Sequence, residues 1–167
     1  MLVVRQAKIE DLDAITHIYN QAILNTVATF DTEPKTKEEQ TEWFSNHNSR
    51  YPILVADFRS RVIGWASLTK WSDRCAYSDT AECSLYIEEE YQGKGFGKTL
   101  LIALLHEAKK SGFHTVIARI TEGNDMSLNR FSSLGFRHIG IMREVGRKFD
   151  RLLDVHLMQI LFDDQFE

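Results

Sequence analysis

Hydrophobic positions along the chain switch between a two-residue and a 3.6-residue period, and the switches mark the elements. Val3 and Val4 read as a short strand. Leu12, Ile15, Ile18, Tyr19, Ala22 and Ile23 then recur at helical spacing, with Glu10, Asp11 and Asp13 at the end where the helix dipole favours negative charge. Thr36-Lys37-Glu38-Glu39 has the make-up of a capping box and predicts a second helix carrying Trp43 and Phe44. Ile53–Ala56 and Val62–Leu68 predict two strands joined across Asp57–Arg61, and Ala81–Ile87 predicts a third. Leu100, Leu101, Leu104, Leu105 and Ala108 form a helical stripe that Gly112 can terminate. Thr115–Ile120 is a short β-branched strand, followed by a helix from Asn124 to Leu134 with Gly135 at its end. Two last strands flank a polar turn at Gly146–Asp150 and close at Leu161.

The order β-α-α-β-β-β-α-β-α-β-β predicts an α/β (α+β mixed) layered fold around a central mixed sheet flanked by helices. A length of 167 residues suits a single domain over 1–167, long enough to bury a core without disulfides or a structural metal. Twenty basic against 24 acidic side chains disfavour a generally basic nucleic-acid binder. No apolar run approaches the roughly 18 residues of a membrane span, and Met1–Asp11 lacks a signal-peptide apolar core. Two cysteines, Cys75 and Cys83, are too few for a disulfide framework, and the six histidines lack ligand spacing. The expectation is a cytoplasmic protein with no nucleic acid, membrane or metal partner.

The chemistry concentrates at Tyr91-Gln92-Gly93-Lys94-Gly95-Phe96-Gly97-Lys98, between a predicted strand and a predicted helix. Glycines let backbone N–H groups approach a ligand and tolerate positive φ. The helix N-terminus and the two lysines add positive charge, a combination suited to phosphate or pyrophosphate. Gly97-Lys98-Thr99 imitates the end of a P-loop, but that motif needs glycine where Gln92 stands. A dinucleotide fingerprint needs glycine at Lys98 or at Leu100.

The loop does match Q/R-x-x-G-x-G/A, and in this it resembles the pyrophosphate-binding signature of the GCN5-related N-acetyltransferases, which use acetyl-CoA. Asn124-x-x-Ser127 followed by Gly135-Phe136 is similar to that family's second cofactor motif, and the element order agrees with its mostly antiparallel fold. Within the superfamily the chain resembles the phosphinothricin N-acetyltransferase group over nearly its whole length. The residues that carry this are Thr29-Phe30-Asp31, Gly64-Trp65-Ala66, Arg74-x-x-Tyr77-x-x-Thr80-x-Glu82, and Gly146–Asp150 through Asp154. The resemblance implies a homodimer that acetylates the amine of phosphinothricin, methionine sulfoximine or a related molecule by direct attack. It also implies cofactor contacts at Gln92 through Lys98 and at Asn124, with Ser133 and Arg130 near the phosphates. Backbone groups of Leu85, Tyr86 and Ile87 are expected to pair with the pantetheine arm.

Acyl transfer from a thioester needs a neutral amine, and an α-amine titrates near 7.7–8.0 in peptides, so a base should help. Glu82 is the candidate. Period-two alternation puts Thr80, Glu82, Ser84 and Tyr86 on one polar, aromatic face and Ala81, Cys83, Leu85 and Ile87 on the other. A solvated or salt-bridged strand glutamate is the alternative. Cys83 falls on the core face and reads as packing. Seven residues after Asn124, where many relatives carry tyrosine or histidine as proton donor, stands Phe131, which cannot donate. Phe30, Trp43, Trp71, Tyr77 and Tyr86 are candidates for an aromatic enclosure, with Trp43 and Trp65 favoured as core. Arg74 is the candidate grip on a carboxylate or phosphinate. Other acceptors consistent with the pattern are a protein N-terminus or a polyamine, and a CoA-binding module without turnover is the non-enzymatic reading.

Overall fold

The stripe Leu100, Leu101, Leu104, Leu105 and Ala108 has no solvent exposure at all. It seals one face of a sheet against Ala66, Leu68, Ala81 and Cys83. At about 1.5–3 kcal/mol for each fully buried Leu or Ile, that helix cannot leave the sheet, and the glycine loop leading into it is fixed. The computed structural model describes residues 1–163. Its strands are β1 (Leu2–Gln6), β2 (Ile53–Phe58), β3 (Arg61–Lys70), β4 (Thr80–Ile87), β5 (Thr115–Thr121), β6 (Arg137–Lys148) and β7 (Arg151–Leu161). Its helices are α1 (Leu12–Asn25), α2 (Lys37–Ser45), α3 (Phe96–Lys110) and α4 (Asp125–Ser133), in the order expected from the sequence. Thr36 and Glu39 cap α2 reciprocally, with Thr36 N–H donating to Glu39 Oε2 at 2.8 Å.

The strands lie in the order β1-β2-β3-β4-β5-β7-β6. Every neighbouring pair is antiparallel except β4–β5. On the face opposite α3, Ile15 and Ile18 of α1 pack with Ile53, Val55 and Trp65. Trp43 of α2 meets Trp65 edge-on at 5.2 Å, the packing role expected of both.

Two connections are shorter than the sequence predicts. β2 and β3 turn through Arg59 and Ser60 (φ 53° and 64°), and β6 and β7 through Phe149 and Asp150 (φ 50° and 62°). These left-handed pairs match the two-residue hairpin whose twist suits the strands. Neither pair is the Asn-Gly that usually announces such a turn. Gly146–Lys148 therefore belongs to β6 rather than to a turn.

The feature that makes a site is a parting of strands. β4 pairs with β5 only from Thr80 to Glu82, opposite Thr115 to Ile117. Beyond that point β4 runs on along β3 to Ile87, while β5 follows β7 to Thr121.

Candidate active site

Where parallel strands part, the backbone groups between them lose their partners, and the ladder on the far side of β4 says which ones. Glu88 N–H donates to Ile63 O at 2.8 Å, and the β3–β4 register is unbroken from Gly64↔Ile87 to Lys70↔Ala81. Antiparallel alternation then turns the backbones of Ser84 and Tyr86 toward β3, and those of Cys83, Leu85 and Ile87 toward the gap. The Ile87 carbonyl is taken by Gln92 Nε2 at 3.0 Å. Gln92 thus clips the glycine loop to the end of β4 with its side chain. Leu85 is left with its amide facing the gap and no strand opposite. Of the three residues expected to pair with the arm, Tyr86 has its backbone turned to β3 and not to the gap, and it lines the cleft.

The glycine loop lies at the end of this gap. Gly93 and Gly95 have φ of 75° and 85°, the left-handed region that L side chains rarely adopt. Gly95 caps α3 with no side-chain acceptor, so the amides of Phe96, Gly97 and Lys98 project from the positive end of the dipole without intrahelical partners. The Phe96 ring packs inward on Phe58 at 5.1 Å, leaving the backbone as that residue's contribution. A Cβ on Gly97 would fall 2.8 Å from Arg130 Cζ, because the guanidinium lies directly over that glycine. Arg130 is half-buried and has no hydrogen-bond or acidic partner among the described residues; burial lowers its pKa. Ser133 lines the same hollow and donates its hydroxyl to Arg130 O at 2.8 Å. Lys94 stands 5.3 Å over the Tyr91 ring and Lys98 is exposed. Free amides, an unpaired guanidinium and an open strand edge together fit a diphosphate with a linear, amide-bearing arm.

From that loop a groove follows β4 past Met126, Asn124 and Ser127 into a cleft of about 640 Å³. Asn124 caps α4 by accepting from Ser127 N–H at 3.3 Å, so one residue both starts the helix and lines the groove. Phe131 also lines the cleft, buried and perpendicular to Phe136 at 4.9 Å, and offers no proton. Cys83 turns toward the core, and burial raises its thiol pKa, which fits packing and not attack.

Glu82 stands in the wall of the cleft with its side chain 15% exposed. Its Oε1 accepts from Arg119 Nη2 at 2.9 Å; Oε2 lies 2.7 Å from the same nitrogen but outside hydrogen-bond geometry, and is shielded from solvent. The glutamate is therefore both ion-paired and cleft-lining. Arg119, on β5, also sits 5.5 Å over the Trp71 ring.

The opposite wall comes from the α1–α2 connection. The Tyr19 hydroxyl donates to the Asp31 carboxylate and lies 3.1 Å from Thr29 Oγ1. Burial holds the Tyr19 phenol well above its ordinary range and pushes that of Tyr86 up to about 12, so both are donors and not bases near neutral pH. Lys148 is buried and donates to the Thr29 carbonyl at 2.8 Å; burial lowers its pKa while Asp31 opposes the shift. Phe30, in that connection, also lines the cleft and lies against Gly146 of β6.

Arg74 and Tyr77 are not brought here. They occupy the exposed 3-10 connection between β3 and β4, and neither lines the cleft. The structure thus places Arg74, the candidate anion grip, on an exposed connection outside the residues that line the cleft. Arg119 escaped the sequence reading although a lone charge in the apolar run Val116–Ile120 was a signal. Tyr19 escaped it because its spacing is that of a core position. Among the described residues no three His, Cys, Asp or Glu side chains gather as a metal site requires.

Comparison with known proteins gives the same picture. The model of the acetyltransferase (GNAT) family matches residues 13–136. The L-methionine sulfoximine/L-methionine sulfone acetyltransferase of Pseudomonas aeruginosa is 38% identical, covering 96% of this chain and 94% of its own. The phosphinothricin N-acetyltransferase of Streptomyces coelicolor is 36% identical over 91% of each. The crystal structure of a phosphinothricin acetyltransferase from Sinorhizobium meliloti in complex with AcCoA superposes with a TM-score of 0.94 at 36% identity, covering 98% of this chain and 89% of that one.

Proposed function

The chain belongs to the acetyltransferase (GNAT) family and takes acetyl-CoA as its acetyl donor; from that premise we propose that the acceptor is the amine of a small amino-acid-like molecule such as methionine sulfoximine, methionine sulfone or phosphinothricin. The observation that carries this is the shape of the groove's end. A cleft of about 640 Å³, within the range of small-molecule sites, is lined by Phe30, which lies against Gly146 of β6, and by Asp31, Glu82 and Arg119. A protein N-terminus or a polyamine asks for a more open approach. The names of the relatives support the same acceptors.

Acetyl-CoA supplies an acetyl thioester whose thiolate is a stable leaving group near neutral pH. The amides of Gly93 through Lys98 and the Arg130 guanidinium hold the diphosphate, and Asn124 and Ser127 flank the arm. The Leu85 amide, turned to the gap, is the donor available to the thioester carbonyl. Glu82 accepts the proton of the acceptor's ammonium, directly or through water, so that the neutral amine attacks. No acyl-enzyme is needed, in keeping with a buried Cys83; as the C–S bond breaks, the thiolate leaves unprotonated or takes its proton from water, because Phe131 has none to give.

The exposed apolar side chains Ile139, Ile141, Val145 and Leu152 on the β6–β7 hairpin support a homodimer built there. No helix of the described residues is long and apolar enough to cross a membrane, which is consistent with the cytoplasmic location we assign. A thiol-release assay over phosphinothricin, methionine sulfoximine, methionine sulfone, ordinary amino acids, spermidine and an N-terminal peptide tests the acceptor. Turnover confined to the amino-acid-like compounds is expected; preference for spermidine or the peptide would overturn the assignment.

A further inference from the structure

We infer that Arg119 is the anion-recognising residue of the cleft, and that with Glu82 it forms a charge pair complementary to the ammonium and carboxylate of a zwitterionic acceptor. The inference rests on the amino-acid-like acceptor proposed above. Arg119 is the one basic side chain lining the cleft among the described residues, whereas Asp31 and Glu82 supply two carboxylates. Its Nη2 is engaged by Glu82, and its Nε and Nη1 have no partner among the described residues. The guanidinium is steadied between Glu82 and the Trp71 ring, yet its side chain is half-exposed, 51%.

A planar group with spare N–H donors, already oriented, suits a carboxylate or phosphinate and loses little freedom on binding it. The neighbouring glutamate attracts the ammonium next to that anion. An acceptor amine lacking a negative group meets a guanidinium it cannot pair, which makes this position one that sets specificity.

The test compares L-methionine sulfone with its carboxamide, which keeps the amine and side chain and removes the negative charge. The readout is the ratio of kcat/KM for acid over amide, because losing Arg119 also frees Glu82 and lowers both rates together. In Arg119→Leu the ratio is expected to fall about 10- to 100-fold, the loss of a charged hydrogen-bonded contact, mainly through KM for the acid. Arg119→Lys should keep an intermediate ratio, and Arg74→Ala should leave it unchanged. Equal losses on acid and amide in Arg119→Leu, or a ratio that collapses in Arg74→Ala alone, would overturn the inference. Wild-type protein that turns over neither compound while acetylating other amines would instead overturn the acceptor reading, and the inference with it.

Discussion

Phe30 and Gly146 touch so closely that a Cβ on the glycine would lie 2.2 Å from Cε2 of the phenyl ring. One residue comes from the α1–α2 connection and the other from β6, and Phe30 lines the cleft beside Asp31. The neighbouring bond from Lys148 Nζ to the Thr29 carbonyl ties the same two segments a second time.

Gly146→Ala should therefore displace Phe30. The expected result is a raised KM for the acceptor with acetyl-CoA affinity little changed, and a stability loss of about 1–3 kcal/mol from overpacking. Steady-state kinetics with each substrate varied in turn, alongside urea unfolding, checks both parts.

The other end of the groove responds to a different glycine. In Gly97→Ala the new methyl would press on the Arg130 guanidinium, the far end of a flexible chain, so the fold should tolerate it. CoA binding should weaken about 10-fold or more, as expected for disturbing one charge-assisted contact, and Arg130→Leu should weaken it similarly. Calorimetric titration with CoA reads this directly; unchanged affinity in both variants would remove Arg130 from the diphosphate site.

Glu82→Gln keeps the shape of the side chain and removes its proton-accepting power. Activity should fall by about 10²–10⁴ near pH 6.5, where the acceptor is mostly ammonium, and less near pH 9.5, where more of it is already neutral. A pH–rate profile parallel to that of the wild type would take Glu82 out of proton transfer.

Asp11 gives a stability prediction far from the cleft. Arg5 donates to both its carboxylate oxygens, at 2.7 and 2.9 Å, and those hydrogen bonds, with the Lys8 amide, hold its carboxyl below the usual carboxylate range despite the opposing effect of burial. A depressed pKa in the folded state stabilises the fold above the unfolded value, about 3.9, and the contribution disappears as pH falls through the folded value. Asp11→Asn should cost roughly 2 kcal/mol at pH 7, and the gap from wild type should close below about pH 4. Denaturant unfolding of both proteins from pH 7 to pH 3 follows this.

Local patterning determined most of the scaffold. Element identity, order and faces were legible because helix and strand each bury one side at a fixed period, and so Leu100, Leu104, Cys83 and Trp65 declare their surroundings. The glycine loop was legible too, since backbone amides can approach a phosphate only where side chains are absent and φ can turn positive. The last hairpin was legible as two strands about a turn at Gly146–Asp150, but the two-residue turn at Phe149–Asp150 was not, because those residues lack the usual turn chemistry while sheet twist imposes the conformation. Tertiary structure alone decided which strands part and where, which amide of β4 is left facing the gap, and that Arg119 rather than Arg74 stands beside Glu82. Those relations join residues tens of positions apart, through pairings whose register depends on neighbouring strands, and no period along the chain records them.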